Sequence, residues 1–207
     1  MKSYETTRTK YRYHYSTQAH KYSTNSSYRD NPILHEIFLS LEELSSGCTK
    51  KMKIAAKIFD EHFEVVRIEE KIVKFEVPAG AKDGTRVIIP SAGNIKPGTI
   101  PGDVIFVIRE RKHTSFSRDE ENNLIHNVNI TLREALTGCN IVMKLPCGES
   151  LNLCTRDIVT HGICKRIQGK GMPRSGKNRG DLLVNFSVIF PVKLTEEQKD
   201  KIRSILS

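Results

Sequence analysis

From residue 31 onward the apolar positions of this chain fall mostly with a period of two. "HEIFLS" and "NVNITL" are extended runs of alternating or β-branched residues, and so are "KKMKI" and "IVMKL". That pattern predicts strands. Between the members of each pair stands a different signal, Ser40-x-x-Glu43 in one place and Thr131-x-x-Glu134 in the other. A hydroxyl there caps the third amide of a helix while the glutamate reaches back to the capping residue. Gly47 and Gly138 follow and stop each helix after one or two turns. The predicted unit is strand, short helix, strand, and it occurs twice.

At an offset of 91, Ser40 matches Thr131, Leu41 matches Leu132, Gly47 matches Gly138, Cys48 matches Cys139 and Met52 matches Met143. A second pattern repeats at an offset of 78: Gly84, Gly93 and Gly102-Asp103 stand nine apart, as do Gly162, Gly171 and Gly180-Asp181. An apolar strand follows each Gly-Asp pair, "VIFVIRE" and "LLVNFSVIF". The first copy is longer by 13 residues, where "FEVVRIEEKIVKFEV" is expected to supply an additional strand or hairpin. Two copies at this period mean a duplicated domain and no solenoid.

After Pro191, Thr195 and Gln198 form a third capping box, with Glu196 and Glu197 at the helix start and Lys199, Lys201 and Arg203 towards its end. Leu194, Ile202, Ile205 and Leu206 give this helix an apolar edge that must pack on the second module or on another chain.

Composition refines this picture at a few points. The 207 residues suffice for one large or two small domains. No run approaches the roughly 18 apolar residues of a membrane span, and the first residues lack the apolar core of a secretory signal. Five cysteines without a C-x-x-C pair argue against a disulfide framework and a zinc knuckle, and favour a reducing compartment. The formal charge of +9 suggests acidic partners without choosing among them. Residues 1–30 hold all six tyrosines, six Lys or Arg against two acids, and no Leu, Ile, Val, Phe or Gly. Such a segment buries too little apolar surface to offset its ordering entropy, so it is expected to be a disordered tail or linker.

Enzyme chemistry finds little support. "GMPRSGKN", residues 171–178, nearly spells a phosphate-binding loop, but Asn178 replaces the magnesium-holding hydroxyl and Pro173 removes an amide. Asp157, His161 and Cys164 are only neighbours in sequence, which is no evidence for a nucleophilic triad. No cofactor or metal is expected. Nucleic-acid binding is the alternative from another class, since "KGMPRSGKNRG" and the tyrosine-rich tail could together track phosphates.

The order and spacing of "SLEELSSGCTKKMKI", "VPAGAKDGTRV", "GDVIFVIRERKHTSFSRD", "NNLIHNVNITLREALTG", "GKGMPRSGKNRGDLLV" and "FPVKLTEEQKDKI" resemble the tandem C-terminal substrate-binding domains of DnaJ-family co-chaperones. The resemblance covers residues 31–207 and points to the zinc-free class. It implies a mainly β fold of two tandem homologous β-sandwich-like domains with short helices, at residues 31–112 and 113–193, and a dimerisation helix at 194–207. It further implies a non-enzymatic, cytoplasmic homodimer, with the nucleus as a second compartment. The partners implied are unfolded client polypeptides and the acidic C-terminal tail of an ATP-driven heat-shock chaperone of the DnaK class.

Carried over position by position, the family's peptide groove falls on Ile37, Lys50, Met52, Ile54 and Phe106. Independently, a period of two places Lys50, Met52 and Ile54 on one strand face and Lys51 and Lys53 on the other. His35 stands where the family commonly has an apolar groove residue. The His-Pro-Asp triplet of a J-domain does not occur in the chain, which is therefore not expected to stimulate the partner's ATPase unaided.

Overall fold

The computed structural model describes residues 28–174 and 178–206, so most of the predicted tail and part of the 171–178 loop lie outside the described residues. The described chain divides into two compact units, with the boundary between Arg111 and Lys112.

Unit 1 opens with β1 (Ile33–Leu39), α1 (Leu41–Ser46), β2 (Cys48–Phe59) and β3 (Val65–Val77), and closes with β4 (Arg86–Ile89) and β5 (Val104–Glu110). Three strands form a sheet in the order β1-β5-β4, in which β1 runs parallel to β5 and β4 antiparallel to it. β2 and β3 form a separate antiparallel hairpin. The two layers face each other across a core that includes Leu39, Ile54, Phe75, Val87, Ile89, Val104, Phe106 and Ile108, all buried. Helix α1 closes one end with Leu41 and Leu44, also buried.

Unit 2 repeats this plan with β7 (Leu124–Thr131), α2 (Leu132–Thr137), β8 (Cys139–Lys144), β9 (Ser150–Thr155), β10 (Cys164–Ile167) and β11 (Leu182–Ile189). β7 and β11 are parallel, β10 and β11 antiparallel, and β8 and β9 make the hairpin. It has one strand without a counterpart in unit 1, the two-residue β6 (Ser117–Arg118), which pairs with β7 and gives the order β10-β11-β7-β6. The chain ends in α3 (Glu196–Ile205). Among the described residues no helix is long and apolar enough to cross a membrane.

All three capping boxes form. The Glu43 amide donates to Ser40 Oγ at 3.3 Å and the Ser40 amide to Glu43 Oε2 at 3.1 Å, with the same exchange at Thr131/Glu134 and Thr195/Gln198. The glycine ladder brings backbones together: the Gly93 amide donates to the Gly102 carbonyl at 2.9 Å, and the Gly171 amide to the Gly180 carbonyl at 2.8 Å. The aspartates beside it accept loop amides, Asp103 from Ser91 at 3.0 Å and Asp181 from Gly169 at 2.8 Å.

Two expectations need correction. The 13 additional residues of the first copy build no further strand; they lengthen its one hairpin, whose arms hold 12 and 13 residues against 6 and 6 in unit 2. The register of that hairpin shifts once, between Ile58 and Phe59. Residues 29 and 30, assigned by composition to the tail of residues 1–30, make contacts within unit 1. Asp30 donates its amide to the Ile100 carbonyl at 2.9 Å and pairs with Lys96 at 2.9 Å, while Arg29 pairs with Asp103. These contacts are polar, so a count of apolar residues does not foresee them. Hydrogen bonding to Lys96 holds the Asp30 carboxyl below its ordinary range.

Candidate functional site

β2 carries Lys50, Met52 and Ile54 on the face turned to the sheet, and Lys51 and Lys53 on the exposed face, as its alternation requires. Burial along the inward face is graded. Ile54 is buried, while Met52 and Lys50 are half-buried. In register on β3, Lys50 stands opposite Phe75, and Met52 opposite Val73. Phe75 stacks on Phe106 of β5, ring centroids 4.8 Å apart, and Phe106 stacks in turn on His35 of β1 at 5.7 Å. A ladder of three rings thus runs from the hairpin through the core to the edge of the sheet. It ends in the open, for His35 is exposed.

The structure therefore splits the predicted groove set. Ile37, Ile54 and Phe106 are at most 8% exposed and belong to the core, Phe106 as the middle ring of the ladder. Met52 and Lys50 keep partial access to solvent. The Lys50 ammonium is already engaged, with Nζ 2.5 Å from Glu43 Oε1. That hydrogen bond is the first reason the Glu43 carboxyl is held below its usual range, and the Ser40 amide adds to it. A carboxylate ligand at Lys50 must compete with the residue that also caps α1.

Sequence reasoning marked His35 as a departure from the family's apolar groove residue and left Ile141, Met143 and Leu145 of the second copy as either a weaker site or plain core; it missed the stacking of His35 on Phe106 and the strand that pairs with β7. By the offset of 91, Met52 corresponds to Met143 and His35 to His126. Met143 is only 6% exposed, so the second hairpin's methionine is core. The edge of β7 is taken by β6, and Phe116 stacks on His126 at 4.8 Å. Among the described residues β1 has neither cover and ends its sheet, with β5 as its strand partner. Repeat alignment carries this signal, but a two-residue strand is too short to announce itself by periodicity.

The other candidate sites do not assemble. Among the described residues no hydrogen bond joins Asp157, His161 and Cys164; His161 Nδ1 accepts the Val188 amide at 3.1 Å, and Cys164 is exposed on β10. No group of three or more His, Cys, Asp or Glu is placed to hold a metal ion among the described residues. Around the 171–178 loop three of the described cations are bound within the unit: Arg166 to Asp181 at 2.6 Å, Lys170 to Glu149 at 2.5 Å, and Arg174 Nε to the Glu121 carbonyl at 2.8 Å. An open depression of about 440 Å³ lies where α1 meets the hairpin, lined by Ser46–Thr49 and Glu76–Ala79, and contains none of the predicted groove residues.

This arrangement of duplicated modules matches the model of the DnaJ C terminal domain over residues 33–191. The chain belongs to the DnaJ C-terminal domain family. It is 36% identical over 180 residues to DnaJ homolog subfamily B member 5 of Homo sapiens, covering 86% of this chain and 51% of that protein. DnaJ homolog subfamily B member 13 of Homo sapiens is 34% identical over 180 residues, 86% of this chain and 57% of its own. DnaJ protein homolog 1 of Drosophila melanogaster is 33% identical over 181 residues, 86% and 53%. The chain thus spans about half the length of these DnaJ relatives. Its ladder of rings and the capped helices α1 and α2 lie within the region matched by the family model, and α3 lies beyond it.

Proposed function

We propose that this DnaJ C-terminal chain acts as a co-chaperone module that holds exposed segments of unfolded polypeptide on the open side of unit 1. The same surface is proposed to receive the acidic C-terminal tail of an ATP-driven heat-shock chaperone of the DnaK class. The observation that carries this reading is the difference between the two copies: among the described residues β1 pairs with β5 alone and carries an exposed ring, and Met52 of the facing hairpin is half-buried, whereas β7 is paired on both sides and Met143 is buried. A free strand edge offers main-chain hydrogen bonds to any extended segment, which is a sequence-tolerant way to bind. Methionine suits the adjoining wall because its unbranched, polarisable side chain adapts to varied partners.

Fluorescence anisotropy with an apolar extended peptide and with a peptide ending in Glu-Glu-Val-Asp tests the reading. Met52→Asp is expected to weaken the apolar peptide at least about tenfold, the effect of placing a charge against a desolvated contact. Unchanged affinity in that variant sinks the groove. If nucleic acid is the ligand instead, its binding is expected to fall steeply with added salt and to survive Met52→Asp.

We propose also that α3 joins two copies of the chain. None of its residues is buried, and Ile205 and Leu206 are 78% and 66% exposed, beside Val192 at 94%. Leu194 and Ile202, at 36% and 38%, complete the apolar edge. Of the two packings open to this edge, burial on unit 2 is not what the described residues adopt. An exposed apolar row of this kind is the mark of an interface. Two weak peptide sites on one dimer gain avidity through effective concentration. Light scattering is expected to give a dimer for the native chain and half that mass for Ile205→Asp with Leu206→Asp. A mass unaltered by the double substitution defeats the claim.

A further inference from the structure

The hairpin of unit 1 ends in a patch that the hairpin of unit 2 lacks. Its loop, residues 60–64, is tied by the Asp60 carboxylate, whose Oδ1 accepts the His62 and Glu64 amides at 2.9 Å each. The Phe63 amide donates to the Asp60 carbonyl at 3.0 Å, and Phe63 holds a φ of 60°, a conformation that a bulky residue rarely adopts. Its ring stands in solvent, 61% exposed. Val65, Val66 and Ile68 follow, all exposed. Single exposed apolar residues are ordinary, but four within six positions form a patch of the kind that marks an interaction site.

The charge of this end is equally unlike that of the chain. Residues 60–70 contain five acids, Asp60, Glu61, Glu64, Glu69 and Glu70, against one cation, Arg67, in a chain whose formal charge is +9. Glu69 and Glu70 are paired with Lys71 and Lys53. Glu61 and Glu64 are exposed, and among the described residues no ion pair engages them. In unit 2 the residues that close the hairpin, 145–149, include no aromatic residue, and their one acid, Glu149, is held by Lys170.

A segment that complements the patch must be basic and carry rings. Residues 1–27, which lie outside the described residues, contain five Lys or Arg, one acid and five tyrosines. Residues 28–30, which continue them, lie beside the same hairpin end. Lys96 Nζ is 2.9 Å from Asp30 Oδ2 and 5.8 Å from the centre of the ring of Phe59, the last residue of β2. The Phe59 amide in turn donates to the Ile95 carbonyl at 2.9 Å. Reach is therefore no obstacle, since the stretch from Tyr22 to Tyr28 spans about 20 Å when extended.

We propose that residues 4–22 dock on the outer end of this hairpin, with tyrosine rings packed on Phe63 and Val66 and cations paired with Glu61 and Glu64. A basic side chain can also lie over the Phe63 ring, as Lys96 lies over Phe59. Each contact is weak. Tethering the segment to the surface it binds raises its effective concentration, so few contacts suffice. The surface is distinct from Lys50, Met52 and Ile54, and its occupant is part of the same molecule rather than a client.

Carbodiimide treatment of the full chain tests this, because it joins an ammonium directly to a carboxylate in contact with it. Peptide mass spectrometry is expected to find Lys10 or Lys21 linked to Glu61 or Glu64. In an equal mixture of ordinary and isotopically heavy chains, the links are expected within one isotope. Charge alone must not suffice. Phe63→Asn with Val66→Ser keeps every carboxylate, and Asn tolerates the positive φ; the pair is expected to lower the yield at least about fivefold. Tyr15→Ser with Tyr22→Ser, which leaves every residue of the hairpin as it is, is expected to do the same. Absence of these links, links only between light and heavy chains, or a yield unchanged in either double variant overturns the proposal.

Discussion

Phe106→Ala is expected to destabilise unit 1 by about 3–5 kcal/mol, the range for truncating a large buried aromatic residue. Phe106 is 1% exposed and stacked between Phe75 and His35, so its removal empties the middle of the ladder and leaves two rings without their partner. For a domain of this size each kcal/mol lowers the melting temperature by roughly 4–8 °C. Because the chain forms two units, calorimetry is expected to show the transition of unit 1 moving down by more than about 10 °C while that of unit 2 stays in place. A shift of under about 4 °C, the effect of less than 1 kcal/mol, refutes the view of Phe106 as the centre of the core. The variant also bears on function, since His35 loses its support. Peptide affinity at the open edge is expected to fall even at temperatures where the unit remains folded.

The second large effect is expected from Gly180→Ala. A Cβ at that position meets the backbone of Asn122, with the carbonyl carbon 2.5 Å away and the carbonyl oxygen nearer still. Backbone cannot swing aside as a flexible side chain does, so the strand start or the turn must move. Asn122 is poorly placed to yield: it holds a positive φ of 67°, donates its side-chain amide to the Pro173 carbonyl at 2.8 Å, and accepts from the Met172 amide at 2.9 Å. Overpacking of this kind typically costs 1–3 kcal/mol, and the fixed backbone puts the expected loss at about 3 kcal/mol. Hydrogen exchange is the check: amides of β7 and β11 are expected to exchange on the order of a hundredfold faster, with β1 and β5 unchanged. Gly162→Ala is the control, because nothing lies within 4 Å of its Cβ and only its φ of 81° resists. Equal effects of the two substitutions would contradict the close-approach argument.

Much of this was legible in the sequence because the signals were local. Ser40, Thr131 and Thr195 announced their helices three residues ahead, and period two placed Lys50, Met52 and Ile54 on a common face. The duplication was legible because two offsets held across separate motifs. What stayed hidden depended on depth or on distant partners. Alternation gives Met52 and Ile54 the same face but not the same burial, which is set by how far the opposite sheet extends. The Lys50–Glu43 pair spans a helix and a strand, so neither residue signals it alone. β6 exists because of a turn at Asp119–Asn123, and nothing in its two residues favours a strand.

The long hairpin of unit 1 has twelve paired positions where that of unit 2 has six, and both close with a five-residue loop. An antiparallel ladder can lengthen only by whole rungs, two residues at a time, or every side chain beyond the insertion changes face. Thirteen is odd, and six rungs absorb twelve. The remaining residue is Val66, which stands opposite no partner because Ile58 pairs with Arg67 and Phe59 with Val65. Stepping aside there, it spares the inner rungs, from Cys48 to Ile58, any change in orientation. The outer end of the arm is thereby uncoupled in phase from the inner end, so the hairpin offers a place where length varies between homologous modules while the face that carries Lys50, Met52 and Ile54 is left undisturbed.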